Sequence, residues 1–217
     1  MTATQTLQIL SITSSLLSPG SIATLSVFDI PIMRSQPASR SLPMLRWLFS
    51  RGSHIYPTQS VLTSSGFAYL AYNSVPATAT TLPTILAHAT KGKTGMYLAA
   101  ALFTLSIGPW TTLVMLPTNF ELIQRNEDLG GTRSLKSAEY RDESGQRKRS
   151  SEESTGGEGD VSQWTDISGP QERSARESSD KENREVRQLM DKFAVLNGVR
   201  AALMGVGGIV GLVAALS

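Results

Sequence analysis

The chain of 217 residues contains no cysteine, which excludes disulfides, thiolate-bound metals, iron–sulfur clusters and a cysteine nucleophile. It has only two histidines, His54 and His88, too few and too scattered for an ordinary histidine metal centre. No dinucleotide-binding fingerprint, phosphate-binding P-loop or GxSxG nucleophile motif occurs. No metal and no cofactor are therefore expected. Charge is also scarce outside one segment. Of the 38 charged residues, 29 fall between residues 125 and 192, and seven of the remaining nine are basic. An isoelectric point near 9.0 thus reflects short basic connections. No basic stripe with interleaved aromatics accompanies it, so nucleic acid is not an expected partner.

What the chain does have is long uncharged runs. The central one, residues 94–120, reads TGMYLAAALFTLSIGPWTTLVMLPTNF and holds 27 residues without a charge. As a helix it reaches about 40 Å, more than the roughly 30 Å of bilayer hydrocarbon. Pro109 and Pro117 interrupt it, which membrane helices tolerate when neighbours satisfy the freed carbonyls. Residues 1–28 form an earlier run without the basic start of a leader peptide, and are read as a retained first span. Its serines and threonines point to protein neighbours on much of its surface. A basic connection, 32–57, carries Arg34, Arg40, Arg46 and Arg51 and no acid. Leu45, Trp47, Leu48 and Phe49 within it read as a short interfacial helix ended by Gly52. Residues 58–75 are long enough for a second span, 76–93 read as a connection, and 201–217 close the chain. In that last run Ala201 with Gly205, and Gly207 with Gly211, are small pairs suited to close helix approach.

This pattern predicts an all-α, multi-pass integral membrane protein. Its expected architecture is a four-helix bundle with spans 1–3 in residues 1–124 and the final span in 189–217. Between helices 3 and 4 lies a polar insertion, 125–188. It is so poor in apolar residues that disorder, and dispensability for any chemistry, are the expectation. Residues 180–195 are better helix formers and are expected to extend the final span into water. Four arginines in 32–57, against Lys91 and Lys93 in 76–93, place both long connections in the cytosol by the positive-inside rule.

Five residues stand out as candidates for chemistry. Arg200 lies inside the last apolar stretch, where a cation is costly enough to imply a partner or a purpose, unless it snorkels to the headgroups. Asn197 shares its helical face. Asn119 follows the Pro117-Thr118 break, where a helix-ending cap is the plain alternative. Asp29 sits before Pro31, either as a buried base or as a solvated loop residue. His54 has aromatic and basic neighbours and is either a proton carrier or a bare surface side chain.

The same residues carry a resemblance. Pro31, the RWLFSRG segment leading to Tyr56-Pro57, the central PWTTLVMLPTNFEL and the closing LNGVRA with its glycine-rich span resemble the fungal anthrone oxygenase family. Those proteins are small four-span membrane enzymes of aromatic polyketide pathways. The chain departs from the pattern at Phe193, where a tryptophan is common. The resemblance implies cofactor-independent oxidation of an anthrone to an anthraquinone with O₂. For that chemistry Arg200 and Asn119, with Asn197 in support, are the candidates to hold the enolate oxygen, and His54 or Asp29 is the candidate base. Implied partners are a small hydrophobic aromatic substrate, O₂ and membrane lipid. A non-catalytic membrane adaptor and a carrier for hydrophobic metabolites are the rival readings.

Overall fold

The computed structural model describes residues 1–145, 148–157 and 159–217, and all its regular structure there is helical. In order, the helices are α1 (Ala3–Thr24), α2 (Ile30–Arg34), α3 (Ala38–Asn73), α4 (Leu82–Ala89), α5 (Gly92–Leu105) and α6 (Ile107–Trp110). Then come α7 (Leu116–Asp128), α8 (Leu135–Ser144), α9 (Ser151–Gly156) and α10 (Asp180–Leu216). Two π-helical segments, Leu25–Asp29 and Thr111–Met115, precede α2 and α7. Local chemistry sets the starts. Thr2 and Gln5 exchange hydrogen bonds ahead of α1, and Ser179 and Glu182 do so ahead of α10. Each exchange satisfies two amides that the first turn leaves without partners.

Among the described residues, three helical stretches are long and apolar enough to cross a membrane: Ala3–Arg34, Gly92–Asp128 and Asp180–Leu216. These mark a membrane protein. The second of the four expected spans, 58–75, lies in α3 and is not among them, because Gln59, Ser60, Thr63, Ser64 and Ser65 dilute its apolar content. Several boundaries also differ from expectation. Gly52 does not end a short helix, since α3 runs through both Gly52 and Pro57. A glycine costs a helix only about 1 kcal/mol, and the contacts of Trp47 and Arg51 described below offset it. The first run stays helical past Asp29 to Arg34, and the 76–93 connection contains α4. As expected, the final helix begins at Asp180, well before its apolar part.

The chain divides into two compact units. The first comprises residues 1–23, 56–112 and 197–217. Its core is Phe67, Leu70 and Ala71 of α3, Tyr97, Ala100 and Ala101 of α5, and Ala214 of α10, with Leu7 and Ile12 of α1 packed against them. The distribution of polarity is inverted relative to a water-soluble fold. Ser11, Ser15 and Ser18 of α1 and Ser60 and Thr63 of α3 are buried, whereas Leu10, Leu17, Leu62, Leu102 and Ile209 are exposed. Hydroxyls bond across helices: Ser60 Oγ donates to the Thr104 carbonyl at 2.6 Å and Thr94 Oγ1 to the Ser74 carbonyl at 2.9 Å. Such bonds are the usual polar glue of helices in lipid.

Within the expected small pairs, close approach is sharpest at Gly211. A Cβ built there would sit 2.4 Å from Cε1 of the fully buried Phe67 ring. At Gly205 the nearest atom, in Pro19, is 3.5 Å away. We expect Gly211→Val to lower the thermal midpoint of the detergent-solubilised protein, by the about 1–3 kcal/mol typical of overpacking or more. Gly205→Val should change it little. Equal midpoints for the two variants would mean that the Phe67 contact does not constrain α10.

The second unit comprises residues 24–55 and 113–196. Its apolar part is small: Ile30, Met33, Leu42, Leu45, Leu122, Ile123, Val186, Met190 and Phe193 are buried, with the Phe193 and Phe49 ring centres 5.0 Å apart. Most of the expected insertion belongs to this unit, and the disorder expected of it is not found. The described residues of 125–188 include α8 and α9 and bury Asn126, Glu127, Thr132, Arg133, Ser137, Ser154, Asp166 and Ser174. Gln146, Arg147 and Glu158, which the expectation also covered, lie outside the described residues. Order here rests on polar pairing, which a hydropathy argument does not register. Trp47 Nε1 donates to the Ser168 carbonyl at 2.9 Å, and Arg51 Nη2 donates to the same oxygen at 3.2 Å. Ser39 Oγ donates to Glu177, and the Asn183 side chain accepts from the first amide of α3. Asp166, despite partial burial, is held below the usual carboxylate range by Ser134 and Ser168 hydrogen bonds and the Arg51 charge. These contacts tie the segment to residues 38–51 of α3.

Candidate active site

The polar residues of the last helix are placed by the first unit. Asn197 is fully buried, and its Nδ2 donates to the Ile22 carbonyl of α1 at 2.8 Å. Arg200 follows on the same helix, with its guanidinium carbon 5.1 Å from the ring centre of Tyr56. Tyr56 in turn donates to Ser21 Oγ at 3.4 Å. The Nε of Arg200 is buried without a hydrogen-bond partner, and among the described residues no carboxylate pairs with it. An aromatic face therefore does for this cation what an acid ordinarily would, leaving guanidinium donors uncommitted to any carboxylate.

The remaining candidates lie in the second unit. The π-helical turn Thr111–Met115 leads into α7, where Pro117 has no amide hydrogen to give the Leu113 carbonyl. Such widened turns are frequent at functional sites. Thr118 and Asn119 follow immediately. Thr118 is 2% exposed, and its Oγ1 and the Asn119 Oδ1 are both buried without hydrogen-bond partners. A threonine in a helix ordinarily returns its hydroxyl to its own backbone; this one does not. Asn119 is not a terminating cap either, since α7 continues to Asp128. His54 is not a bare surface side chain. Its ring lies against Trp164 with centres 3.7 Å apart, and Nε2 is buried without a partner. Asp29 closes the π-helical segment Leu25–Asp29 and is half-buried. No hydrogen bond or ion pair joins Asp29, His54 and Asn119 to one another among the described residues.

Three participants escape a reading of the sequence. Tyr56 is visible only as an aromatic beside Pro57, and Thr118 only as the neighbour of Asn119. Trp164 is the single tryptophan of a segment read as disordered. Among the described residues no three histidine, aspartate or glutamate side chains converge as a metal site requires. A narrow crevice in the second unit, lined by Leu42, Leu45, Arg46, Phe49, Leu122 and Ile123, encloses no room for a small molecule.

The family model described as anthrone oxygenase matches residues 46–210, about three quarters of the chain. The chain belongs to the anthrone oxygenase family. No curated protein and no solved structure matches it. The region shared with the family takes in His54, Tyr56, Thr118, Asn119, Asn197 and Arg200 and leaves Asp29 outside. It also spans the whole polar segment 125–188, so that segment falls within the family domain. Membership points to an oxygenase that takes a small aromatic substrate and O₂.

Proposed function

We propose that this anthrone oxygenase converts an anthrone of aromatic polyketide metabolism to the anthraquinone, using O₂ and no cofactor. The observation that carries the reading is Arg200: a guanidinium within an apolar helix, stacked on Tyr56 and, among the described residues, without a carboxylate. An anthrone has a methylene between two aryl rings that conjugate it to a ketone. Loss of one methylene proton gives an enolate whose oxygen bears the charge. Its carbon reduces O₂, giving a hydroperoxide at that carbon after protonation. Loss of water then leaves the second carbonyl, so one anthrone and one O₂ become one quinone and one water.

Such chemistry asks the protein for a base, donors for the enolate oxygen and an apolar surround. Arg200 is assigned the oxyanion, with Asn197 and Asn119 as supporting amides. Proton removal is assigned to His54 or Asp29. His54 offers a ring nitrogen with no protein partner and lies inside the family match, which favours it. His54→Gln and Asp29→Asn separate the two, because only the base's loss should stop turnover.

The test is oxidation of an anthrone by membranes containing the protein, under ¹⁸O₂ and with no cofactor added. One labelled oxygen should enter the new carbonyl, with one O₂ consumed per quinone and no hydrogen peroxide released. Formation only at the rate of protein-free membranes would remove the proposal. Altered distribution of the anthrone without new quinone would make the protein a carrier.

A further inference from the structure

In the first unit, the connection between α3 and α5 carries α4, whose sequence LPTILAHA has an apolar side. Leu82, Ile85, Leu86 and Ala89 recur at the spacing that puts them on one helical face, with Thr84 and Ala87 opposite. The helix is set to form. Thr81 and Thr84 exchange hydrogen bonds as a capping box, and Pro83 stands in the first turn, where its missing amide costs nothing. Yet α4 buries none of its residues. Leu82 is 68% exposed and Leu86 58%, so the chain itself does not cover the apolar face. A helix of two turns is too short to hold together alone in water.

The position of α4 says what covers it. Only Thr90 and Lys91 separate it from Gly92, where the stretch Gly92–Asp128, long and apolar enough to span a membrane, begins. The turn is tight: Gly92 has φ 57°, and a Cβ on Gly95 would lie 2.8 Å from the Thr90 carbonyl carbon. This holds α4 at the mouth of that span. The end of α3 is tied to the same level, since Thr94 Oγ1 donates to the Ser74 carbonyl, and Tyr69 and Tyr72 stand exposed on the last two turns of α3. Tyrosines at span ends ordinarily sit among lipid headgroups. Lys91 and Lys93 are the only charged residues between 74 and 120, and among the described residues neither makes an ion pair. Exposed aliphatic side chains, tyrosines and cations without acids are together complementary to a phospholipid leaflet, which offers acyl chains beneath and phosphates above.

We propose that α4 is an in-plane membrane anchor, with Leu82, Ile85 and Leu86 in the acyl-chain boundary of a phospholipid leaflet and Lys91 and Lys93 at its phosphates. The anchor has no part in the proposed oxidation. Moving these aliphatic side chains from water to acyl chains is favourable in proportion to the area removed from water. A lysine at such an edge lays its stem on apolar surface and keeps its ammonium group among the headgroups. Seated in this way, α4 fixes the depth at which α5 enters the leaflet.

The experiment exploits the absence of cysteine from the full chain. Leu86→Cys and Ala87→Cys each receive one NBD fluorophore, and the labelled proteins are reconstituted in phosphatidylcholine vesicles. The quenchers are iodide, present on both sides of the vesicle, and phosphatidylcholine with a nitroxide on the upper part of its acyl chain. The Leu86 label is expected to be quenched by the lipid nitroxide, and several-fold less by iodide than the Ala87 label on the opposite face. Should Leu86→Cys not fold, Leu82→Cys reads the same apolar face. Leu102→Cys, at an exposed position of α5, reports the span itself and should be quenched by lipid and not by iodide. Iodide access at Leu86 equal to that at Ala87 makes α4 a solvated connection and overturns the proposal. Shielding of Leu86 from both quenchers means that protein, such as a second copy of the chain, covers the face, and overturns it as well. A Leu102 label outside lipid would remove the membrane reading of α5, and the anchor with it.

Discussion

Replacing Arg200 by Gln is expected to slow anthrone turnover roughly 10²-fold or more, by analogy with the loss of one oxyanion donor. The expectation rests on where the charge sits. In water a cation near an enolate is screened, but inside an apolar helix the same pair interacts several times more strongly. A fixed guanidinium therefore favours the enolate, and the transition state leading to it, over the neutral ketone. Arg200→Lys keeps the charge and loses the planar donors, and should retain part of the rate. Tyr56→Leu removes the ring beneath the guanidinium but not the guanidinium itself, so it should cost less than Arg200→Gln. The measurement is initial rate per inserted protein, with insertion checked separately, because a variant that fails to enter the membrane also loses activity. Normal insertion of Arg200→Gln with the parent's rate would reduce this arginine to an anchor.

The elements readable in the sequence are those fixed by local composition. The 94–120 run forms helix across most of its length and lies within one of the three stretches able to span a membrane. The helical character of 180–195 and the close approach at Gly207 and Gly211 also follow from local residue types. Arg200 and Asn197 stand out for the same reason, as polar groups in an apolar helix. What could not be read depends on partners far apart in the chain. Tyr56 becomes notable only once Arg200 is stacked upon it, 144 positions later. The order of 125–188 comes from bonds such as Arg46 to Ser154 and Trp47 to Ser168, which join residues 108 and 121 positions apart. Counting apolar residues in that segment reveals none of this, because the groups that hold it are themselves polar. The π-helical turns are similarly hidden. Their trace in the sequence is a proline two residues beyond each, Pro31 and Pro117, and a proline is equally compatible with a simple helix end.

Glu127→Gln is expected to open the polar segment of the second unit to protease. Glu127 is 1% exposed, and its carboxylate receives two hydrogen bonds from Arg141, whose Nη1 also reaches the Gly131 carbonyl at 3.3 Å. Breaking a buried ion pair by removing one partner typically costs about 3–5 kcal/mol, because the surviving charge stays buried and unmatched. Here the penalty is aggravated, since the Glu127 charge also favours the buried cation of Arg46. Trypsin reads the outcome directly. If 125–188 were unstructured, Arg133, Arg141 and Arg149 would be cut as fast as any exposed basic residue. In the folded protein the side chains of Arg133, Arg141 and Arg149 are only 2%, 11% and 10% exposed, so cleavage at these sites must wait for local opening. The parent should therefore resist at these positions while exposed Lys181 is cut. Glu127→Gln should make them labile, and the paired change Glu127→Leu with Arg141→Leu should restore much of the resistance, since it leaves no unmatched charge. Immediate cleavage of the parent at Arg133 and Arg141 would show that polar pairing does not hold this segment.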